Sequence, residues 1–509
     1  MTFETRNHTL LVAGSLAAAL LVAAAPAAAS PGEGRSEMDR TFRKTLPLAP
    51  GGKLWIEHSN GSLSIVTGRD PEVSIDAVIH VSSSDEEAAK SFSSEIAIEA
   101  SAVPKGVSIK TRYPARSGSS WGRGSLSWAV DYRIRMPESA ELEASNRFGN
   151  ISVTGLKATG NIRNSNGTIV FRDGKGNQRI ENSFGTVEVS GVAGAVTIIN
   201  SNGTVSATGV EGGLNVQDRF GRVSVSKVGK RCEIRNSNGE VVVADAGGPV
   251  EVTNSFGAVD LRSVTGEVGV VNSNGRVTAR DIKGPARLET RFGAIDASGI
   301  AGDAVVSNGN SSITLADVEG SADVRGSFGD IRIARVKKGV KVYSANGRVS
   351  LTDIGGSSFV KTSFGLAEAV RVAGDLTVEN SNGAVRAGEI KGGANVRTSF
   401  APVSLDGVEG PVDVDSQNGS IEVRRIGGGA RGCKNVTLKT SFASIRFHLP
   451  ENAGYSVEAR TSFGKIRSDL PIVSTGDMSG ESLRGKIGDG RCSLTVTNSN
   501  GSIELLKGQ

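Results

Sequence analysis

Residues 112–135 read RYPARSGSSWGRGSLSWAVDYRIR, which sets Tyr113, Trp121, Trp128 and Tyr132 among Arg112, Arg116, Arg123, Arg133 and Arg135. Aromatic rings beside guanidinium groups stack on sugar faces and grip anionic glycans or lipid headgroups. Tyr113, Trp121, Trp128, Arg116 and Arg123 are therefore the candidate ligand-binding residues; the competing reading is a long loop whose aromatics close one end of the molecule. Other chemistry-bearing residues are sparse. His58, His80 and His448 are isolated, and neither HExxH nor a paired CxxC occurs, so the pattern predicts no catalytic, metal or cofactor-binding residues. GESLRGKI at 480–487 has phosphate-loop spacing up to Lys486, but Ile487 stands where the metal-binding hydroxyl belongs.

Cysteine usage points the same way. Cys232 falls in a column otherwise filled by Val and Leu and reads as a small buried hydrophobe. Cys433 and Cys492 lie in irregular stretches and are the candidate disulfide pair, which spacing alone leaves open.

The net charge of +5 is a mild excess spread over 509 residues, without the clustered basic face and stacking aromatics of a nucleic-acid binder. At the N-terminus Arg6 and His8 precede an apolar run from Leu10 to Ala25 that ends in APAAAS, the pattern of a secretory signal peptide cut after Ala29. No later segment is apolar enough to span a bilayer as a helix, so the expected location is periplasm, cell surface or extracellular space.

The elements that would position any site come from a repeat. Starting at Asn146, a corner motif returns every eighteen residues: NRFG at 146, NSNG at 164, NSFG at 182, NSNG at 200, DRFG at 218, and so on to SQNG at 416. Fixed-period self-similarity marks a solenoid or an array, and the local apolar-x-apolar spacing is that of strands. One column holds Val205, Val223, Val241 and Val259, and a second holds Ile198, Val216, Ile234 and Val252. A third, with Val210, Val228 and Val264, is followed by a second glycine corner at Gly194, Gly212 and Gly248. Asn-Gly also suits a hairpin, but a meander would not force one length on every unit, whereas a parallel coil stacks each residue on its counterpart one turn later.

The third motif position alternates Phe and Asn, from Phe148 and Asn166 to Phe400 and Asn418, so the full repeat is 36 residues. Two coils fit. In the shorter, each turn is eighteen residues and Phe and Asn alternate up one edge; in the longer, a turn is 36 residues with a Phe stack opposite an Asn ladder. The small Val/Ala core favours the shorter, giving a rod on the order of 75 Å long.

The sequence thus divides into a signal peptide (1–29), an N-terminal cap (30–145) with strands and one short helix N-capped by Ser84, regular solenoid coils (146–433), and irregular C-terminal coils (434–509). The fold class is all-β, a parallel β-solenoid. With the signal segment, the strand WIEHSNGSLSI, the segment YRIRMP, the Gly-punctuated repeats and the closing SNGSIEL, the chain resembles the bacterial putative-adhesin family of exported β-repeat proteins. The resemblance covers nearly the whole mature chain. It implies an adhesive or structural role and carries no catalytic or binding residues to transfer.

A non-enzymatic exported rod that binds a cell-envelope or extracellular glycan, or a protein partner, is the resulting expectation. A polysaccharide lyase or glycosidase on the same scaffold would need two carboxylates roughly 5–10 Å apart under cleft-forming loops. The stretch 146–418 has no insertion to supply such loops. An envelope-stress scaffold differs from the first reading only in its partner.

Overall fold

The computed structural model describes residues 36–114, 126–427, 433–449, 454–474 and 479–508. Each unit of the repeat contributes two short strands, such as Val196–Asn202 and Val205–Val210, lying in two different sheets. Every strand pairs in parallel with its counterpart eighteen residues on: Ile198 with Val216 in one sheet, Val205 with Val223 in the other. About sixteen regular coils, from Glu141 to Ile426, form a two-sheet β-solenoid. The turn is therefore eighteen residues, because Phe184 pairs directly with Asn202 and Asn202 with Phe220. Phe and Asn alternate up one edge.

The core sits between the sheets as stacked columns. In one coil Val196, Ile198, Val205, Ala207 and Val210 all point inward and are at most 1% exposed. Small β-branched residues suit this narrow cross-section, and each buried Val or Ile contributes about 1.5–3 kcal/mol. Cys232 occupies the same column as Val196 and Val250, is fully buried, and has its thiol pushed up to about 12 by that burial.

Backbone geometry explains both turns of each coil. At the motif corner Gly203 has φ +128°, and a Cβ built there would lie 2.2 Å from the Gly185 carbonyl oxygen of the preceding coil. Glycine is needed there both for conformation and for the closeness of stacking. At the other turn, a position recurring every eighteen residues from Gly155 to Arg425 is left-handed in every coil, with φ between 49° and 83°. Asp, Lys, Ser, Arg and Glu fill it as well as Gly.

Both ends of the rod are built out of sequence order. The first coil, Lys53–Glu57 and Leu63–Gly68, is sandwiched between the coil Glu141–Phe148/Ile151–Thr154 and the strands Gly106–Arg112 and Ser127–Pro137, which come after it in sequence. Ser36–Pro47 and Glu72–Ser83 then add antiparallel strands to one sheet, and Ala97–Val103 adds one to the other. The outermost strand, SEMDRTFRKTLP, is rich in charge, which discourages edge-to-edge pairing. The C-terminal end mirrors this arrangement. The final coil, Cys492–Thr497 and Ile503–Lys507, inserts between Val436–Leu449 and the coil of Tyr455–Arg460 and Ile466–Ser468.

The single described helix, Glu86–Glu95, packs on the N-terminal cap with Ala89 and Ser93 buried. Its N-cap is Asp85 and not Ser84: Asp85 Oδ1 accepts from Glu87 N at 3.0 Å and Ala88 N at 3.1 Å. A carboxylate satisfies two open N–H groups and also complements the helix dipole, which a hydroxyl does not. Cys433 and Cys492 are bridged, with Cα atoms 5.9 Å apart, tying the tucked final coil to residues 59 positions earlier. Residues 1–35, including the expected signal peptide, lie outside the described residues. Among the described residues no helix is long and apolar enough to cross a membrane.

Candidate functional site

The corner motif places its four residues differently, and that division makes the site. The first residue turns inward. Asn182, Asn200, Asn236, Asn254 and Asn272 are 1–4% exposed and stack as a polar spine along the edge of an otherwise apolar core. Asn272 Nδ2 donates to the Gly257 carbonyl at 3.0 Å and the Gly275 carbonyl at 3.1 Å, satisfying corner carbonyls of two successive coils. The spine continues into both caps. At the N-terminal end His58 lies between Asn146 and Thr111, its Nδ1 at 3.0 Å from Thr111 Oγ1, which meets Tyr132 Oη at 2.6 Å. Thr440, Asn498 and Thr461 close it at the other end.

Two titratable groups interrupt this amide column. Asp218 replaces Asn, and burial raises its carboxyl to about 6 against the pull of the Arg219 backbone N–H and the Asn200 amide. His58 is lowered to about 4, again chiefly by burial, so its imidazole is neutral near pH 7.

The third motif residue turns outward. From Phe148 to Phe364 the rings keep 53–55% of their surface exposed, and Phe400, Phe442 and Phe463 keep 62–81%. These ten rings stand in one line. Strand spacing puts successive rings two coils, or about 9.6 Å, apart. The intervening Asn residues lie flatter and tie coils together: Asn310 Nδ2 donates to the Arg291 carbonyl at 3.1 Å and Asn166 Nδ2 to the Arg147 carbonyl at 3.4 Å.

The out-of-order coils preserve the alternation. In sequence the aromatics Phe442 and Phe463 follow each other, but in space Asn500 lies between them, its N–H donating to Ser441 O while Phe463 N–H donates to Ser499 O. At the N-terminal end Asn60 likewise lies between Tyr113 and Phe148. The second motif position is mostly Ser, but Arg147, Arg219 and Arg291 hold it at four-coil steps and are exposed. Among the described residues none of the three has an acidic partner.

Of the expected ligand-binding residues, the structure brings Tyr113 and Trp128 together, with ring centroids 6.5 Å apart. Tyr113 takes the aromatic edge position of its coil, but it is half-buried and donates its hydroxyl to Asn60 O at 3.0 Å. Burial pushes that phenol well above its ordinary range. Trp128 packs on Phe92 of the helix at 4.9 Å. Arg116, Trp121 and Arg123 fall outside the described residues. The line of Phe rings was visible in the sequence as an alternation, but the direction in which each ring points was not.

The opposite edge carries a groove of about 980 Å³ along the left-handed positions. Its charges answer one another between coils: Arg335 clasps Asp317 at 2.6 and 2.9 Å, and Arg371 clasps Asp353. These guanidinium groups hold both carboxyls below the usual carboxylate range. Among the described residues no group of three or more His, Cys, Asp or Glu converges on a metal position.

The sequence model of the Toastrack DUF4097 family matches residues 250–506, half of the chain. This chain belongs to the Toastrack DUF4097 family. No curated protein matches the Toastrack rod. Among solved structures, a crystal structure of a putative cell adhesion protein from Clostridium sporogenes ATCC 15579 aligns at 11% identity, covering 46% of this chain and all of that one, with a TM-score of 0.20.

Proposed function

We propose that this Toastrack protein is an exported, non-enzymatic rod that binds a partner at the cell envelope or outside the cell along its aromatic edge. One observation carries the reading. Ten phenylalanine rings are held half-exposed or more in a single line, separated only by Asn and Ser, and soluble proteins seldom leave so many large apolar groups aligned and uncovered unless they bind something. The rings make no contribution to the core, which is completed by the inward columns. Their exposure is a liability for solubility that a binding role explains.

A glycan or an elongated protein partner suits such a surface because a rigid repeat presents many weak contacts at once, and their sum gives avidity. The regular coils offer no loop insertion to roof a catalytic cleft, and the paired carboxylates of the opposite edge are already engaged by arginines. The test is retention of the full chain on isolated cell envelopes, alongside variants in which three neighbouring rings become Ala. Loss of retention without release of reducing or unsaturated sugar ends supports the reading, and retention that ignores the rings contradicts it.

A further inference from the structure

The aromatic edge has a fixed step, a fixed chemistry and a fixed sign of charge. Resting on the binding role proposed above, we infer that its ligand is a linear, carboxylate-bearing polysaccharide in an extended β-1,4 linkage, bound parallel to the rod axis.

Step comes first. Adjacent coils are held at strand spacing, so the rings recur at about 9.6 Å, and the sheet hydrogen bonds prevent that distance from adapting to the ligand. In an extended β-1,4-linked glycan, successive sugars flip over, and only every second sugar presents the same apolar face to one side. Its disaccharide is close in length to two coils. A ring can therefore stack on the same face of every second sugar over a run of successive rings. The tucked coils matter here, because Asn60 and Asn500 keep the two-coil step intact into both caps, where sequence order alone would have broken it.

Between rings, the edge supplies what the flipped sugars need. Asn and Ser side chains alternate with the rings and offer amide and hydroxyl partners for sugar hydroxyl groups. A protein segment without this repeat would bury these polar groups without a matching pattern of partners.

Sign of charge selects among glycans. Across the sixteen regular corners, the only charged residues at the second and third motif positions are Arg147, Arg219 and Arg291. All are positive, exposed and without an acidic partner among the described residues, in contrast to the neutralised pairs such as Asp317–Arg335 on the opposite edge. Guanidinium groups at four-coil steps meet carboxylates recurring at every second disaccharide.

The experiment uses calorimetry with the full chain, titrating oligosaccharides of increasing length from an acidic β-1,4-linked polyuronate and from neutral β-1,4-linked glucan. The expected result is tighter binding of the acidic series, with affinity rising by whole disaccharides. Replacing Phe220 and Phe256 with Ala is expected to weaken binding about tenfold. Replacing Arg147, Arg219 and Arg291 with Gln is expected to abolish the preference for the acidic series and the salt sensitivity, while leaving the length dependence. Both sets lie on the surface, and circular dichroism confirms folding. Equal binding of the two series, or affinity that does not grow with length, overturns the inference. Ring-dependent retention on cell envelopes without binding to either series also overturns it while leaving the broader binding role standing, and ring-dependent self-association in sedimentation does the same in favour of a second copy.

Discussion

Asn500 lies between Phe442 and Phe463 on the edge of the rod, its N–H 2.8 Å from Ser441 O and its Nδ2 3.4 Å from the same carbonyl, 59 residues back in sequence. A chain that simply wound on would have placed two phenyl rings on adjacent coils there. By tucking its last coil inside the preceding one, the protein both maintains the aromatic step and buries its C-terminal strands between neighbours on each side. The first coil does the same at the other end. Ends of a solenoid are where it frays, so a terminal strand bonded on both sides is harder to peel away.

The Cys433–Cys492 bridge fastens that tucked coil. Changing Cys492 to Ser is expected to cost roughly 4 kcal/mol of local stability, by releasing the closed loop in the unfolded segment. Hydrogen exchange should accelerate in residues 433–507 and remain slow in the coils between 146 and 418. Uniform acceleration along the rod would show that the bridge does not act locally.

Asp218 should make the regular coils sensitive to base. Its folded-state value of about 6 lies above the ordinary 3.8, so the folded chain binds the extra proton and stability falls as pH rises between those values. The loss is roughly 2–3 kcal/mol, complete above pH about 6. Asp218→Asn, which restores the amide spine, should remove the slope and raise the melting temperature at neutral pH. An unchanged pH profile would mean that the carboxyl is solvated.

His58 acts with the opposite sign. Its folded-state value of about 4 lies below 6.5, so the unfolded chain binds the extra proton, and stability falls as pH drops from 6.5 to about 4. Replacing His58 with Asn should flatten this acid limb for the N-terminal cap, read by hydrogen exchange of the strand Lys53–Glu57. A limb that persists would assign it to another group.

Lys227 sits in the left-handed column at φ 55° with no ion pair to compensate among the described residues. Lys227→Gly should stabilise the rod by about 1 kcal/mol, since an L side chain there costs about that much. Destabilisation in thermal melts would show that loss of unfolded-state restriction outweighs the relief.

Much of this architecture could be read without coordinates because stacking imposes one length on every turn. The inward columns at Ile198, Val205 and Val210 and the corner at Gly203 recur because a residue out of phase would face its neighbour with the wrong group. Even the tucking left a trace: the alternation of aromatic and Asn fails in sequence between Phe442 and Phe463, and again between Tyr113 and Phe148, which is where coils leave sequential order. The left-handed column was also visible as a position from Asp173 to Arg425 that never holds a β-branched residue. What the sequence did not reveal is direction. Which corner residue turns inward, as Asn200 does, and which outward, as Phe220 does, depends on the bend of the corner, so composition alone singles out the aromatic-rich stretch 112–135 and not the line of rings.

The central claim is that the line of Phe rings is the binding surface. It is tested most directly by comparing the full chain with a Phe220→Ala, Phe256→Ala, Phe292→Ala variant for retention on isolated cell envelopes, after equal melting temperatures have been confirmed. Retention that falls at least about tenfold is the predicted result, each lost ring removing about 0.5–1.5 kcal/mol of contact. Equal retention by both proteins would contradict the account.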